Sequence, residues 1–108
     1  MIYELRIYHA VPGRLADLNA RFVNHTLKVW ERFNIQPVGF WTTLIGENNN
    51  DLTYLLAWES LAKREQIWNA FVADKEWLAI RAETEKNGPL VSSISNSMLA
   101  PTAYSQLR

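Results

Sequence analysis

The chain has 108 residues, 48% of them hydrophobic and 20% charged, which sets a single soluble domain with one modest core. Lysine plus arginine balances aspartate plus glutamate at 11 each, so the chain lacks the basic surface that nucleic acid or an anionic membrane selects, and neutral subunits associate without repulsion. With no cysteine, disulfides, thiolate metal sites and a cysteine nucleophile are excluded. No basic n-region precedes an apolar h-region at the N-terminus, and no apolar run is long enough for a membrane span, so a cytoplasmic location is expected.

The first strand is predicted from Ile2 to Tyr8 and breaks at Pro12-Gly13. Its alternation puts Tyr3, Leu5 and Ile7 on one face and Ile2, Glu4, Arg6 and Tyr8 on the other. The first set is expected to pack on the chain's own helices, the second to face another subunit. A long amphipathic helix then runs to about Phe33, with Leu15, Leu18, Phe22, Thr26, Val29 and Phe33 on the apolar face and Arg14, Asp17, Arg21 and Asn24 among those opposite.

Pro37 to Ile45 and Leu52 to Trp58 read as a hairpin across the polar turn Gly46-Glu47-Asn48-Asn49-Asn50-Asp51. Ser60 caps the next helix, whose apolar side carries Leu61, Trp68, Phe71 and Val72, and Asp74 caps a third. Asn87-Gly88-Pro89 stops it, and Leu90 to Leu99 is the last strand. The domain is expected over residues 1–100, with 101–108 as a tail.

The order strand, helix, strand, strand, helix pair, strand is the ferredoxin-like βαββαβ pattern: an α+β fold whose antiparallel sheet carries helices on one face. The third strand is apolar on both sides, with Tyr54, Leu56 and Trp58 on one and Leu55 and Ala57 on the other. A sheet with two apolar faces and helices for only one needs a second cover, and another copy of the chain supplies it, as a two-fold homodimer.

These stretches resemble the NIPSNAP family over essentially the whole length. The resemblance rests on Ile2-Tyr3-Glu4-Leu5-Arg6-Ile7-Tyr8, Pro12-Gly13-Arg14-Leu15, Gly39-Phe40-Trp41-Thr42-Thr43, Tyr54-Leu55-Leu56-Ala57-Trp58, Ser60 to Glu65 with Trp68, and Gly88-Pro89-Leu90-Val91. It implies a dimeric α+β barrel, a superfamily that includes cofactor-independent monooxygenases, haem-degrading enzymes and small isomerases. A shared fold of this kind does not carry an activity with it.

Two histidines are candidates for acid–base chemistry. His25 lies at the margin of the helix's apolar face, either reaching a pocket or capping the core edge; His9 ends the first strand and reads as a surface residue. Arg64 falls on the stripe of Leu61, Trp68 and Phe71, where it either anchors an anion at a pocket mouth or pairs with a glutamate or Trp68. Glu4 with Arg6 reads as a register-fixing ion pair or, more sharply, a catalytic carboxylate. No metal spacing, serine-nucleophile elbow or phosphate loop is present, and no cofactor is expected.

Five tryptophans, at 30, 41, 58, 68 and 77, supply core and can also line a pocket for a flat ligand. The expected pocket lies between sheet and helices and is lined by Phe22, His25, Trp41, Tyr54, Arg64 and Trp68, with His25 and Arg64 as candidate catalytic residues. The function expected is a homodimeric domain binding a small apolar or aromatic ligand. The alternatives are a non-catalytic protein-interaction module and, by superfamily analogy, a cofactor-independent monooxygenase or haem-binding protein.

Overall fold

A computed structural model describes all 108 residues. In chain order the elements are β1 (Ile2–Ala10), α1 (Leu15–Arg21), a π-helical turn (Phe22–Thr26), α2 (Leu27–Phe33), β2 (Gln36–Thr42), β3 (Asp51–Trp58), α3 (Leu61–Val72), α4 (Lys75–Thr84) and β4 (Val91–Leu99). The strands form one antiparallel sheet in the order β2-β3-β1-β4.

The expected order of elements holds, but the two faces of β1 are exchanged. Glu4 pairs with Leu56 and Arg6 with Tyr54, so these side chains share the face of the fully buried residues of β3. That face carries the helices: Leu52, Tyr54, Leu56 and Trp58 join Leu18, Phe22, Val29, Trp30, Phe71 and Trp77 in one core. Tyr3, Leu5 and Ile7 lie on the other face, with Thr53, Leu55 and Ala57. Apolar burial was the wrong guide, because the inward charges of β1 satisfy one another instead of seeking a second subunit.

The first helix is continuous but not uniform. Its π-helical turn advances less rotation per residue than the α-helical turns on either side. Side chains after Phe22 therefore lag behind the regular wheel. His25 is carried out to solvent, while Thr26 stays on the apolar side where the wheel places it, 2% exposed, and donates to the Arg21 carbonyl at 3.4 Å. Arg21, placed by the wheel on the polar side, is only 7% exposed.

Helix ends follow their sequence signals. Ser60 accepts from the Lys63 backbone N–H at 3.1 Å and Asp74 from that of Trp77 at 3.0 Å. Asn34 closes α2 in the left-handed conformation, φ 57°, and the next N–H, of Ile35, reaches back to the Trp30 carbonyl at 3.1 Å.

Two sequence expectations fail at the edges. Strand β2 stops at Thr42, so Leu44 and Ile45 are 93% and 95% exposed in the loop beyond it. On α3, Leu61 and Val72 point to solvent, and only Phe71 is buried. On the open sheet face the Trp41 ring lies across Gly39, where a Cβ would stand 2.8 Å from it. Glycine there lets the indole lie flat on the strand.

Replacing Asn34 by Val puts a β-branched residue in the left-handed region and is expected to cost about 1–2 kcal/mol. Asn34→Gly should hold or slightly raise stability. Urea midpoints of the two variants check this.

Candidate functional site

The site grows from the inward charges of β1. The Glu4 carboxylate is fully buried and takes hydrogen bonds from four residues on four elements. Oε1 accepts from Trp58 Nε1 at 2.9 Å and Arg64 Nε at 3.1 Å. Oε2 accepts from Arg64 Nη2 at 2.8 Å, Arg6 Nη1 at 2.9 Å and the Asn96 side-chain amide. Burial alone would raise the carboxyl pKa, but the hydrogen bonds from Arg64, Asn96 and Arg6 outweigh it and hold the group at about 2. With its lone pairs occupied and its pKa this low, Glu4 is a poor proton acceptor. It is an anchor for two arginines.

Arg6 carries the network outward. Its Nε donates to the Tyr54 hydroxyl at 2.8 Å and Nη2 to that of Tyr8 at 3.5 Å. Its guanidinium lies 4.5 Å from the Trp68 ring centroid. Burial pushes the Tyr54 phenol well above its ordinary range, so it stays protonated. Arg64 lies 5.5 Å from the same Trp68 ring and also meets Glu65 at 2.6 Å. Of the two readings of Arg64, the ion pair and aromatic contact describe its surroundings.

Beside this network a cleft of about 400 Å³ opens between α3, α4 and the β1–β4 half of the sheet. Trp68, Phe71 and Trp77 give it an aromatic lining, and Arg6, Tyr8 and Arg21 a polar one. Arg21 lies 5.3 Å from the Trp77 ring centroid, and Arg81 and Glu85 stand at the rim.

The six residues expected to line one pocket do not share one. Tyr54, Arg64 and Trp68 gather around Glu4 and Arg6, but Tyr54 is fully buried below the cleft. Phe22 packs 5.6 Å from Tyr54 in the core. Trp41 lies on the opposite sheet face, 54% exposed. His25 sits in a shallow polar depression with Arg14, Asp17 and Lys86.

The sequence reading missed Arg21, Trp77 and Tyr8 as lining residues. The wheel places Arg21 on the polar side, and it is buried because Trp77, Thr84 and Glu85 pack against it, which no local pattern signals.

His9 also proves to be more than a surface residue, because β1 continues past it to Ala10. Its Nδ1 meets Asp51 Oδ1 at 2.6 Å and its Nε2 meets Ser95 Oγ at 2.8 Å. This chain crosses three strands on the open face, away from the cleft. No group of three or more His, Asp or Glu residues is arranged to hold a metal ion, and no helix is long and apolar enough to cross a membrane.

A four-stranded β2-β3-β1-β4 sheet with all its helices on one face defines the ferredoxin-like class of α+β proteins. Within that class the chain belongs to the NIPSNAP family, whose model matches residues 3–106.

Solved structures agree on the fold. A NIPSNAP family protein from Agrobacterium tumefaciens is 23% identical with a TM-score of 0.87, covering 99% of this chain and 98% of its own. A NIPSNAP-like domain protein from Burkholderia xenovorans is 24% identical with a TM-score of 0.85, over 96% and 87%. More distant is a variant of MhuD, crystallised with two manganese protoporphyrin IX molecules per active site, at 15% identity and a TM-score of 0.66 over 97% and 98%. No curated protein matches the chain.

Glu4→Gln leaves two arginines facing a neutral amide and is expected to cost about 3–5 kcal/mol. The carboxyl pKa is lower folded than unfolded, so its contribution is complete above about pH 4.5 and is lost as pH falls toward 2. Chemical denaturation of both proteins across that window should show the wild-type advantage shrinking as pH drops.

Proposed function

We propose that this protein is a homodimer that binds a small, flat apolar or aromatic ligand in the cleft between α3, α4 and the sheet, with each subunit holding one site. The observation that carries the ligand reading is the cleft itself. Three aromatic side chains wall a space of about 400 Å³, within the range of small-molecule pockets, roughly 300–1,000 Å³. Its polar side is already ordered, because Arg6 is tied by Glu4, Tyr54 and Tyr8. A ligand stacking against Trp68 meets a surface that needs little rearrangement.

Dimerisation is supported by the open sheet face. Leu5, Ile7, Leu55 and Trp41 share it, with no helix of the chain above them, and Leu44 and Ile45 extend apolar surface beyond the hairpin. Apolar patches of this kind mark interaction surfaces. A second copy is the simplest cover for this face, because the chain is neutral and two copies meet without net repulsion. The ligand cleft lies on the other side of the sheet, so pairing leaves it open.

Sedimentation should give a species of two chains at micromolar concentration, and Ile7→Lys should yield a monomer with unchanged helical circular dichroism. A monomeric wild type refutes the dimer. Titration with 2-naphthamide should quench tryptophan fluorescence saturably, and Trp68→Leu should weaken binding about tenfold. A Soret shift on adding haem would enlarge the ligand class to porphyrins. Absence of saturable binding by either compound favours the protein-interaction reading.

A further inference from the structure

We infer that the cleft ligand carries an anionic group, a carboxylate on its flat apolar skeleton, and that Arg21 receives it. The inference rests on the ligand-binding reading above and names the charge of the ligand.

Arg21 is the most unusual residue lining the cleft. It is 7% exposed, yet its Nε has no hydrogen-bond partner. Its Nη1 makes only long contacts, 3.4 Å to Thr84 Oγ1 and 3.3 Å to Glu85 Oε2. Arg6 next to it shows what a satisfied arginine looks like in this protein, with a carboxylate and two phenols as acceptors. A guanidinium has five N–H donors and holds its charge, so a buried one with so few acceptors is short of them.

Charge points the same way. The cleft lining contains Arg6, Arg21 and Arg81 against one carboxylate, Glu85. Arg81 shares that carboxylate, its Nε donating to the same Oε2 at 2.9 Å. Glu4 neutralises Arg6 from below and is itself fully buried, so it offers nothing to Arg21. Burial accordingly pushes the Arg21 pKa down, with Glu85 only partly opposing.

The geometry also specifies the rest of the ligand. The Trp77 ring lies 5.3 Å from the Arg21 guanidinium carbon, and Phe71 lies 4.9 Å from Trp77, centroid to centroid. An acid bound to Arg21 would place its attached ring along this aromatic wall. A partner subunit on the open sheet face is on the far side and cannot supply the missing acceptor.

The test pairs 2-naphthoate with its neutral counterpart 2-naphthamide, titrated by tryptophan fluorescence at neutral pH. Wild type should bind the carboxylate about tenfold more tightly than the amide, with the preference shrinking as salt rises. Arg21→Met should bring the two affinities to within about twofold, and Arg21→Lys should retain part of the preference. Melting curves verify that the variants are folded. Equal affinities in wild type, or a preference that survives in folded Arg21→Met, overturn the inference while leaving the cleft as a ligand site. Failure of both probes to bind overturns the ligand-binding reading with it. If Arg21→Met does not fold, the wild-type preference and its salt dependence decide the matter.

Discussion

A carboxylate with no exposure to water organises this protein. Glu4 on β1 is bonded by Trp58 on β3, the Asn96 amide on β4 and Arg64 on α3, while Arg6 two residues along the strand closes the group. Buried ion pairs stabilise little against an apolar replacement, but breaking one is costly, and a half-satisfied network is worse than none. Every partner must therefore arrive in register. A one-residue slip of β1 would turn Glu4 and Arg6 to the open face and set Leu5 against Arg64. The network thus specifies which strand register and which helix position the sheet accepts.

Its second consequence lies in the cleft. The bonds that anchor Arg6 also fix where its guanidinium meets Trp68, so the polar side of the cleft is set by the core beneath it. The aromatic wall comes from a different source. Trp30, Trp68, Phe71 and Trp77 form a continuous chain of ring contacts at 4.9–6.2 Å between α2, α3 and α4. Among the residues lining the cleft, Arg21 keeps an unbonded Nε and so has hydrogen-bonding capacity to spare.

The sheet is used on both faces for different purposes. The helix face holds the core, the Glu4 network and the cleft. The other face holds Leu5, Ile7, Leu55 and the flat Trp41, together with the hydrogen-bonded run Asp51, His9 and Ser95. Polar groups satisfied among themselves are compatible with an apolar surface in a way that unpaired ones are not. This division keeps the apolar open face and the cleft on opposite sides of the sheet.

The sequence by itself determined the element order, the Ser60 and Asp74 caps, the antiparallel α+β class and the family, because periodicity and capping are local and independent of what lies across the core. It also showed the two-sided apolar character of β3. Only the tertiary structure decided which face of β1 turned inward. Alternation gives two sets of residues but no sign, and Glu4 and Arg6 belong inside only because Arg64, Trp58 and Asn96, 54 to 92 residues away, converge on them. Likewise the wheel put His25 near the apolar face and Arg21 opposite; the π-helical turn leaves His25 exposed, and Trp77, Thr84 and Glu85 cover Arg21. Charge placed by long-range partners, and a helix whose period changes midway, are properties of the packed chain that no local pattern encodes.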